Sequence, residues 1–368
     1  MPRFAQAGPR AARRVYLPEF RPARVFAAMH ALSFYPPGFQ PTQTRRLESD
    51  AGFSNAMLWR LETAAGPLCL RAMPAGDVYL PRLSGLHRLL GHIANQHVPV
   101  AAPLATSSGA TFVEAEGSVW QLEPWLPGTA DYWQRPSPQR LRAAMQTLAR
   151  WHAAAASFCP TGDEAAWFSM AHGVSPTVVD RQKLIAAWTA PRWHTARHLL
   201  AACRWPEFRE LGFEWLDLFA RVAPGMTARL KLAERLTLRL QPCLRDVWHD
   251  HVLYTGDEVT GVIDPHACRS DHVAVDLARL LGSFVGDDRQ AWDAGVAAYA
   301  ALHPLSVDEF ALLALLDQSG VLLSGLTWID RVNAFGPPHV AQGERILARF
   351  HRLLTRLKHL AAHALSQP

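Results

Sequence analysis

No uninterrupted apolar run in the 368-residue sequence reaches the ~20 residues that a membrane-spanning helix needs. The most hydrophobic stretch, Phe310–Leu326, is broken by Asp317, Gln318 and Gly320 and reads as a buried helix pair. Cysteine is scarce. Cys69, Cys159, Cys203, Cys243 and Cys268 are odd in number and lack C-x-x-C spacing, so neither a disulfide framework nor a zinc cage follows. Thiols used this sparsely suit small packing roles in a reducing compartment, and a cytoplasmic location is expected. A basic face is missing as well. The net charge is +5, yet six arginines and one acid, Glu19, fall within the first 24 residues, and the remainder balances. A nucleic-acid or membrane partner is therefore not expected. There is no internal repeat and no long low-complexity tract, which excludes solenoids and wholesale disorder. Met1–Arg14 is arginine-rich and acid-free, but it has no apolar signal core and contains Pro2, Gly8 and Pro9. Residues 1–38 read as a flexible basic extension, with Met29 as an alternative start.

What is present suffices for two packed units, because single cores stop growing at about 250–300 residues. Alternating residues from Ala56 to Thr63 and an extended run from Leu68 to Ala72 flank an Ala-Ala-Gly-Pro turn, the pattern of a β-hairpin. Leu83, Leu86, Leu89, Leu90 and Ile93 then recur at helical spacing within 81–97. Residues 110–116 and 118–126 form a second strand pair around Gly117, closed by Pro127-Gly128. Beyond that boundary the chain is helix-rich, beginning with a long helix over 138–157. One short hairpin, from His251 to Asp264, interrupts it at a Gly-Asp-Glu turn. The expected architecture is α+β, with a small antiparallel-sheet lobe over 39–126 and a larger, mostly helical lobe over 127–368. A cleft between the lobes is the default ligand site.

Two aspartates stand out on this framework. Asp246 lies in Leu244-Arg-Asp-Val-Trp-His-Asp-His-Val-Leu253, and Asp264 ends Val259-Thr-Gly-Val-Ile-Asp264. Together these segments resemble the aminoglycoside phosphotransferase and choline kinase superfamily, whose H-G-D-x-x-x-x-N motif precedes a hairpin that ends in aspartate. Asp246 matches the catalytic aspartate, His251 falls where the asparagine belongs, and Asp264 matches the metal-binding aspartate. Leu148-Ala-Arg-Trp-His152, Asp276-Leu-Ala-Arg-Leu-Leu281 and the hinge-like Trp120–Gly128 extend the likeness over roughly residues 40 to 330. The resemblance implies a protein-kinase-like two-lobed fold, ATP and Mg²⁺, and a small-molecule hydroxyl as acceptor. Phosphoryl transfer demands positioning and charge neutralisation from the protein. Asp264 would hold the metal as a hard oxygen ligand, and Asp246 would accept the acceptor's proton. The competing reading is that Asp264 ends a strand and Asp246 caps a turn.

In the small lobe, Ala51-Gly-Phe-Ser-Asn55 occupies the place of a phosphate-covering loop, where Ser54 and Asn55 would donate hydrogen bonds. A plain β-turn reads equally well there. Arg71 stands where kinases place their phosphate-binding lysine; a solvent-facing strand arginine is the alternative. No acid lies between Asp77 and Glu114 to anchor it from the following helix, and His87 reads as a structural histidine. The adenine edge is expected on the backbone between Glu123 and Trp125. Leu244 replaces the motif histidine, and His251 would ligate through nitrogen, which brings in Mn²⁺. These departures motivate a second reading, a nucleotide-binding pseudokinase that senses or scaffolds. A zinc hydrolase centred on Trp248-His-Asp-His251 with Asp264 and His266 is a third. The sequence carries no sign of oligomeric state.

Overall fold

Alternating strands and a buried tryptophan pair build the first lobe. The computed structural model describes residues 23–47, 56–188, 191–336 and 340–364. Helix α1 (Ala23–Leu32) leads into β1 (Pro41–Leu47), β2 (Met57–Thr63) and β3 (Gly66–Pro74); helix α2 (Leu80–Ala94) follows, and then β4 (Val113–Ala115) and β5 (Ser118–Pro124). The five strands form one antiparallel sheet in the order β1-β2-β3-β5-β4. Glu116 (φ 51°) and Gly117 (φ 69°) make the tight β4–β5 turn, because two successive left-handed residues match the twist of a hairpin. Trp59 and Trp120 pack at 5.4 Å, with Leu61, Leu68, Leu70 and Leu122 around them. Burying each such side chain stabilises by about 1.5–3 kcal/mol.

Ala28, Ala31, Leu32 and Tyr35 belong to this same core. The flexible extension expected over 1–38 is therefore corrected for residues 23–38: an apolar stripe on a short helix seals one face of the sheet. Helix α2 turns the other way, placing Leu86, Leu89, Leu90 and Ile93 in the larger core of the second lobe.

That lobe contains α3 (Pro138–Ala156), α4 (Ala165–Phe168), β6 (Ala171–Gly173), α5 (Pro176–Ala187), α6 (Pro191–Ala201), α7 (Pro206–Ala233), β7 (Leu238–Cys243), β8 (Val252–Thr255), β9 (Glu258–Val262), β10 (Arg269–Asp271), α8 (Ala274–Val285), α9 (Arg289–Ala300), α10 (Val307–Phe335) and α11 (Val340–Ala364). Small sheet and helical lobe accord with the α+β expectation. The β8–β9 hairpin is pinned to the interlobe segment by Val262 N–H to Pro99 O at 2.7 Å and by reciprocal Thr129–Tyr254 backbone bonds at 3.0 and 2.9 Å. Asp264, just beyond β9, is thereby fixed at the lobe junction.

The buried helix pair expected over 310–326 is instead a single helix of 29 residues, α10. Its glycines mark close packing rather than a break: a Cβ at Gly325 would overlap the Trp215 ring, and one at Gly320 would press on Arg181. Its polar interruptions are paired, Asp317 with Arg356 and Gln318 with Arg229. By length and composition α10 could cross a membrane, but half of its most apolar window is buried within the fold.

Candidate active site

The loop that carries Asp246 is held from below by one carboxylate. Asp276, wholly buried on α8, accepts the backbone N–H groups of Leu244 and Arg245 at 2.7 and 2.6 Å and bonds His152 Nε2 at 3.0 Å. His152 in turn meets Tyr299 Oη at 2.8 Å, and its carbonyl accepts from Gln241. The two motif helices recognised in the sequence thus lock the loop's backbone. Arg245 sits at φ 63°, a region that favours glycine, in the place where the kinase motif has its glycine. Its guanidinium is tied to buried Asp271 at 2.9 Å and to Asp180 at 3.0 Å, so side-chain anchoring offsets the backbone strain. Asp246 itself is half exposed and ion-paired with Arg279.

Asp264 lies across the cleft, likewise in the left-handed region (φ 59°). Its carboxylate stands 3.6 Å from Arg71, 3.3 Å from His266 Nδ1 and 3.7 Å from His251 Nε2. The hydrogen bond from His266 is the leading cause that holds its pKa well below the usual carboxylate range; the Arg71 charge adds to this and burial opposes it. Arg71 is almost enclosed and reaches Glu123 at 3.5 Å. Gln121 donates to Glu123 at 2.9 Å, and its oxygen faces His266 at 3.4 Å and His87 at 3.2 Å. A closed polar ring results: Asp264, Arg71, Glu123, Gln121, His266. The strand register explains it, since Arg71 is opposite Gln121 and Cys69 opposite Glu123. Arg71 Nε is buried within the ring without a partner.

Residues 46–316 match the phosphotransferase enzyme family. The chain belongs to that family. A homoserine kinase of Methylobacterium nodulans is 28% identical over 308 residues, spanning 80% of this chain and 85% of its own. One from Methylobacillus glycogenes is 26% identical over 281 residues, 73% of this chain and 74% of its own. Two solved structures share the fold. An amicoumacin kinase in complex with AMP-PNP, Ca²⁺ and its antibiotic has a TM-score of 0.64 at 14% identity, with 94% of both chains covered. A spectinomycin phosphotransferase with ADP and spectinomycin has 0.63 at 10% identity, covering 92% and 98%. The protein-kinase-like fold is thereby established, and the chain is a small-molecule kinase.

The residues expected to form the phosphotransferase site are brought together unevenly. Asp264, Arg71, Glu123 and His251 converge, and Asp246 adjoins His251. Ser54 and Asn55 lie outside the described residues. Trp125 is corrected as an adenine donor: its N–H is given to Pro67 O at 3.0 Å, Pro124 has none to give, and its ring stacks under Arg60 at 4.9 Å. His251 is corrected as a metal ligand. Its Nε2 accepts the Trp248 indole N–H at 2.7 Å, while Nδ1 is buried and unpartnered. With one nitrogen occupied and the other enclosed, neither presents a lone pair to the cleft. Asp264, open on one side and facing a cation, fits a single oxygen-ligated divalent ion that keeps its remaining positions for phosphates and water. The zinc grouping also comes apart, since His249 is buried, stacked on Trp133 at 3.4 Å, and depressed by burial to a pKa of about 3. His87 is structural, bonded to Thr111 and Gln121, with burial lowering its pKa to about 4.

Sequence reasoning missed three contributors, Glu123 as an anchor, Gln121 and Arg279, and placed His266 beside Asp264 only as part of a zinc grouping. Glu123 as the side-chain anchor of Arg71 comes from a neighbouring strand, where no local spacing signals it. Gln121 and His266 join only through the sheet and the turn after β9. Arg279 had a signal, since it lies one helical turn beyond Asp276.

Proposed function

We propose that this phosphotransferase moves the γ-phosphoryl group of ATP to a hydroxyl of a small molecule, with Asp246 as the base and Asp264 as the metal-holding residue. The observation that carries this reading is the approach of Arg71 and Asp264 to 3.6 Å, which sets a phosphate-binding cation from one lobe against a metal-binding acid from the other. Mg²⁺ held by Asp264 would neutralise charge on the phosphate oxygens. Arg71, kept extended by Glu123, binds those oxygens through its guanidinium. Asp246 orients the acceptor hydroxyl and takes its proton as the new P–O bond forms and the bond from the γ-phosphorus to the bridging oxygen breaks. Arg279 must release Asp246 for this step. An adenine donor beyond Trp125 falls to the Leu126 N–H. Because the relatives that span most of the chain are homoserine kinases, homoserine is the first acceptor to try.

The Trp248–His251 bond favours one contrasting reading, a nucleotide-binding pseudokinase, because it removes the second metal ligand. Calorimetric titration of ATP, with and without Mg²⁺ or Mn²⁺, on the native protein and Asp264→Asn tests both. Metal-dependent binding abolished by the substitution supports the kinase centre. Turnover of any acceptor that depends on Asp246 then excludes the pseudokinase, and absence of nucleotide binding under either metal sinks both.

A further inference from the structure

Behind the catalytic loop lies an open cavity of about 440 Å³, lined by Trp248 and His249 of that loop, Tyr132 and Trp133, and the facing sides of α8, α10 and α11. It connects to the proposed reaction centre through Arg279, which lines the cavity and is the ion-pair partner of Asp246. Its charge is one-sided: Arg181, Arg279, Arg349, Arg352 and Arg356 line it against a single acid, Asp317.

Most of these cations are already committed. Arg356 is paired with Asp287 and Asp317. Arg181 donates to Leu316 O and Ser319 Oγ. Arg279 holds Asp246. Two are different. Arg349 lies over the Trp248 ring at 4.0 Å and Arg352 over the Trp133 ring at 3.8 Å, and among the described residues neither has a hydrogen-bond or carboxylate partner. An arginine whose apolar face is covered by indole and whose N–H edge is open is prepared for a carboxylate or phosphate, which it binds bidentately. Asp250 feels the charges of both and of Arg345, but its nearest recorded contact is His249 Nε2 at 3.3 Å. Phe284, Leu316, Val321 and Leu353 add apolar wall, with Ser283 and Ser324 among them.

We propose that this cavity is the acceptor pocket and that it takes an organic anion, a hydroxyl compound with a carboxylate or phosphate group and an apolar body, while it rejects polyamine-like cations. The proposal rests on Asp246 being the base, because only then does the Arg279 link make the cavity the acceptor side. It assigns Arg349 and Arg352 the anionic group, and it gives Arg279 a carrier's place between the bound anion and Asp246.

The test is equilibrium dialysis of two flat probes that differ in sign, 2-naphthoate and 2-naphthylmethylamine, at fixed ionic strength. Native protein should hold the acid roughly tenfold or more tighter than the amine, and the double substitution Arg349→Gln with Arg352→Gln should remove that preference. Arg349→Lys with Arg352→Lys, which keeps the charges, should restore most of it. MgATP affinity measured on the same preparations should be unchanged, which also reports that the variants are folded. Failure to bind the acid, equal or stronger binding of the amine, or an undiminished preference in the glutamine variant would overturn the proposal. Loss of MgATP binding by the native protein would instead count against the kinase reading itself.

Discussion

Asp276 is wholly buried and accepts two backbone amides at 2.6 and 2.7 Å, whereas Asp264 has a side chain 47% exposed and, among the described residues, no hydrogen-bond or ion-pair partner nearer than 3.3 Å. Both organise the same lobe, and each has a histidine and a loop around it. The difference is satisfaction: every partner of Asp276 is in place, while Asp264 faces a cation and histidines that leave one side open. A buried carboxylate with all its acceptor capacity used is scaffold, since any departure leaves desolvated donors unpaired. A half-open carboxylate held ionised by its surroundings is prepared for a ligand.

The largest effect that would break this comparison is expected from Asp276→Ala. It strands the Leu244 and Arg245 amides and His152 Nε2 in the interior, at a cost of about 3–5 kcal/mol in denaturant stability together with loss of activity. Asp264→Asn, a residue type that tolerates the left-handed backbone and keeps a polar group in the ring, should cost clearly less stability than Asp276→Ala while abolishing metal-dependent nucleotide binding. Equal destabilisation by the two substitutions would erase the distinction. Next in size is Asp246→Asn. Its amide cannot accept the proton, so kcat should fall by roughly 10²–10⁴-fold with MgATP affinity intact. A fall in affinity with kcat preserved would move Asp246 from chemistry to binding.

The closed interior can also be probed with acid. Burial lowers His87 to about 4 and His249 to about 3, so between pH ~6.5 and those values the unfolded chain binds protons that the folded chain does not. Each histidine therefore withdraws up to about 1.4 kcal/mol of stability per pH unit as pH falls through that window. Asp317, raised by burial to about 6, works in the opposite sense, because the folded form takes up its proton first. His251 and His303 are lowered by burial as well, and Asp250 is raised; with the histidines in the majority, stability measured by denaturant titration should drop from pH 7 to pH 5, and His87→Gln should flatten the slope.

How much of this was legible depended on whether partners lie close in sequence. The β8–β9 hairpin, the Asp246/Asp264 spacing and the helices bearing His152 and Asp276 follow from local periodicity and short motifs, and they stand where expected. Tertiary contacts were opaque. The α1 stripe looked like part of a basic tail because Ala28, Ala31 and Leu32 gain meaning only against the sheet. Gly320 and Gly325 looked like breaks because the Arg181 and Trp215 that crowd them lie far away in sequence. Arg245 in a glycine conformation is explained by Asp271 and Asp180, again from other elements.

Glu123 offers the smallest and sharpest test, because it belongs to both kinds of region: it is buried like Asp276, yet its partner Arg71 faces the cleft. If its work is to hold Arg71 for phosphate, Glu123→Gln keeps the shape and the hydrogen bond from Gln121 but removes the charge that restrains the guanidinium. Arg71 then turns to its other acid, Asp264 at 3.6 Å, and competes there with the metal. The KM for MgATP should rise by roughly 3–10-fold with kcat little changed, and the apparent Mg²⁺ requirement should rise with it. A purely structural role would place the whole effect in stability and leave KM untouched, which would put Glu123 beside Asp276 as scaffold.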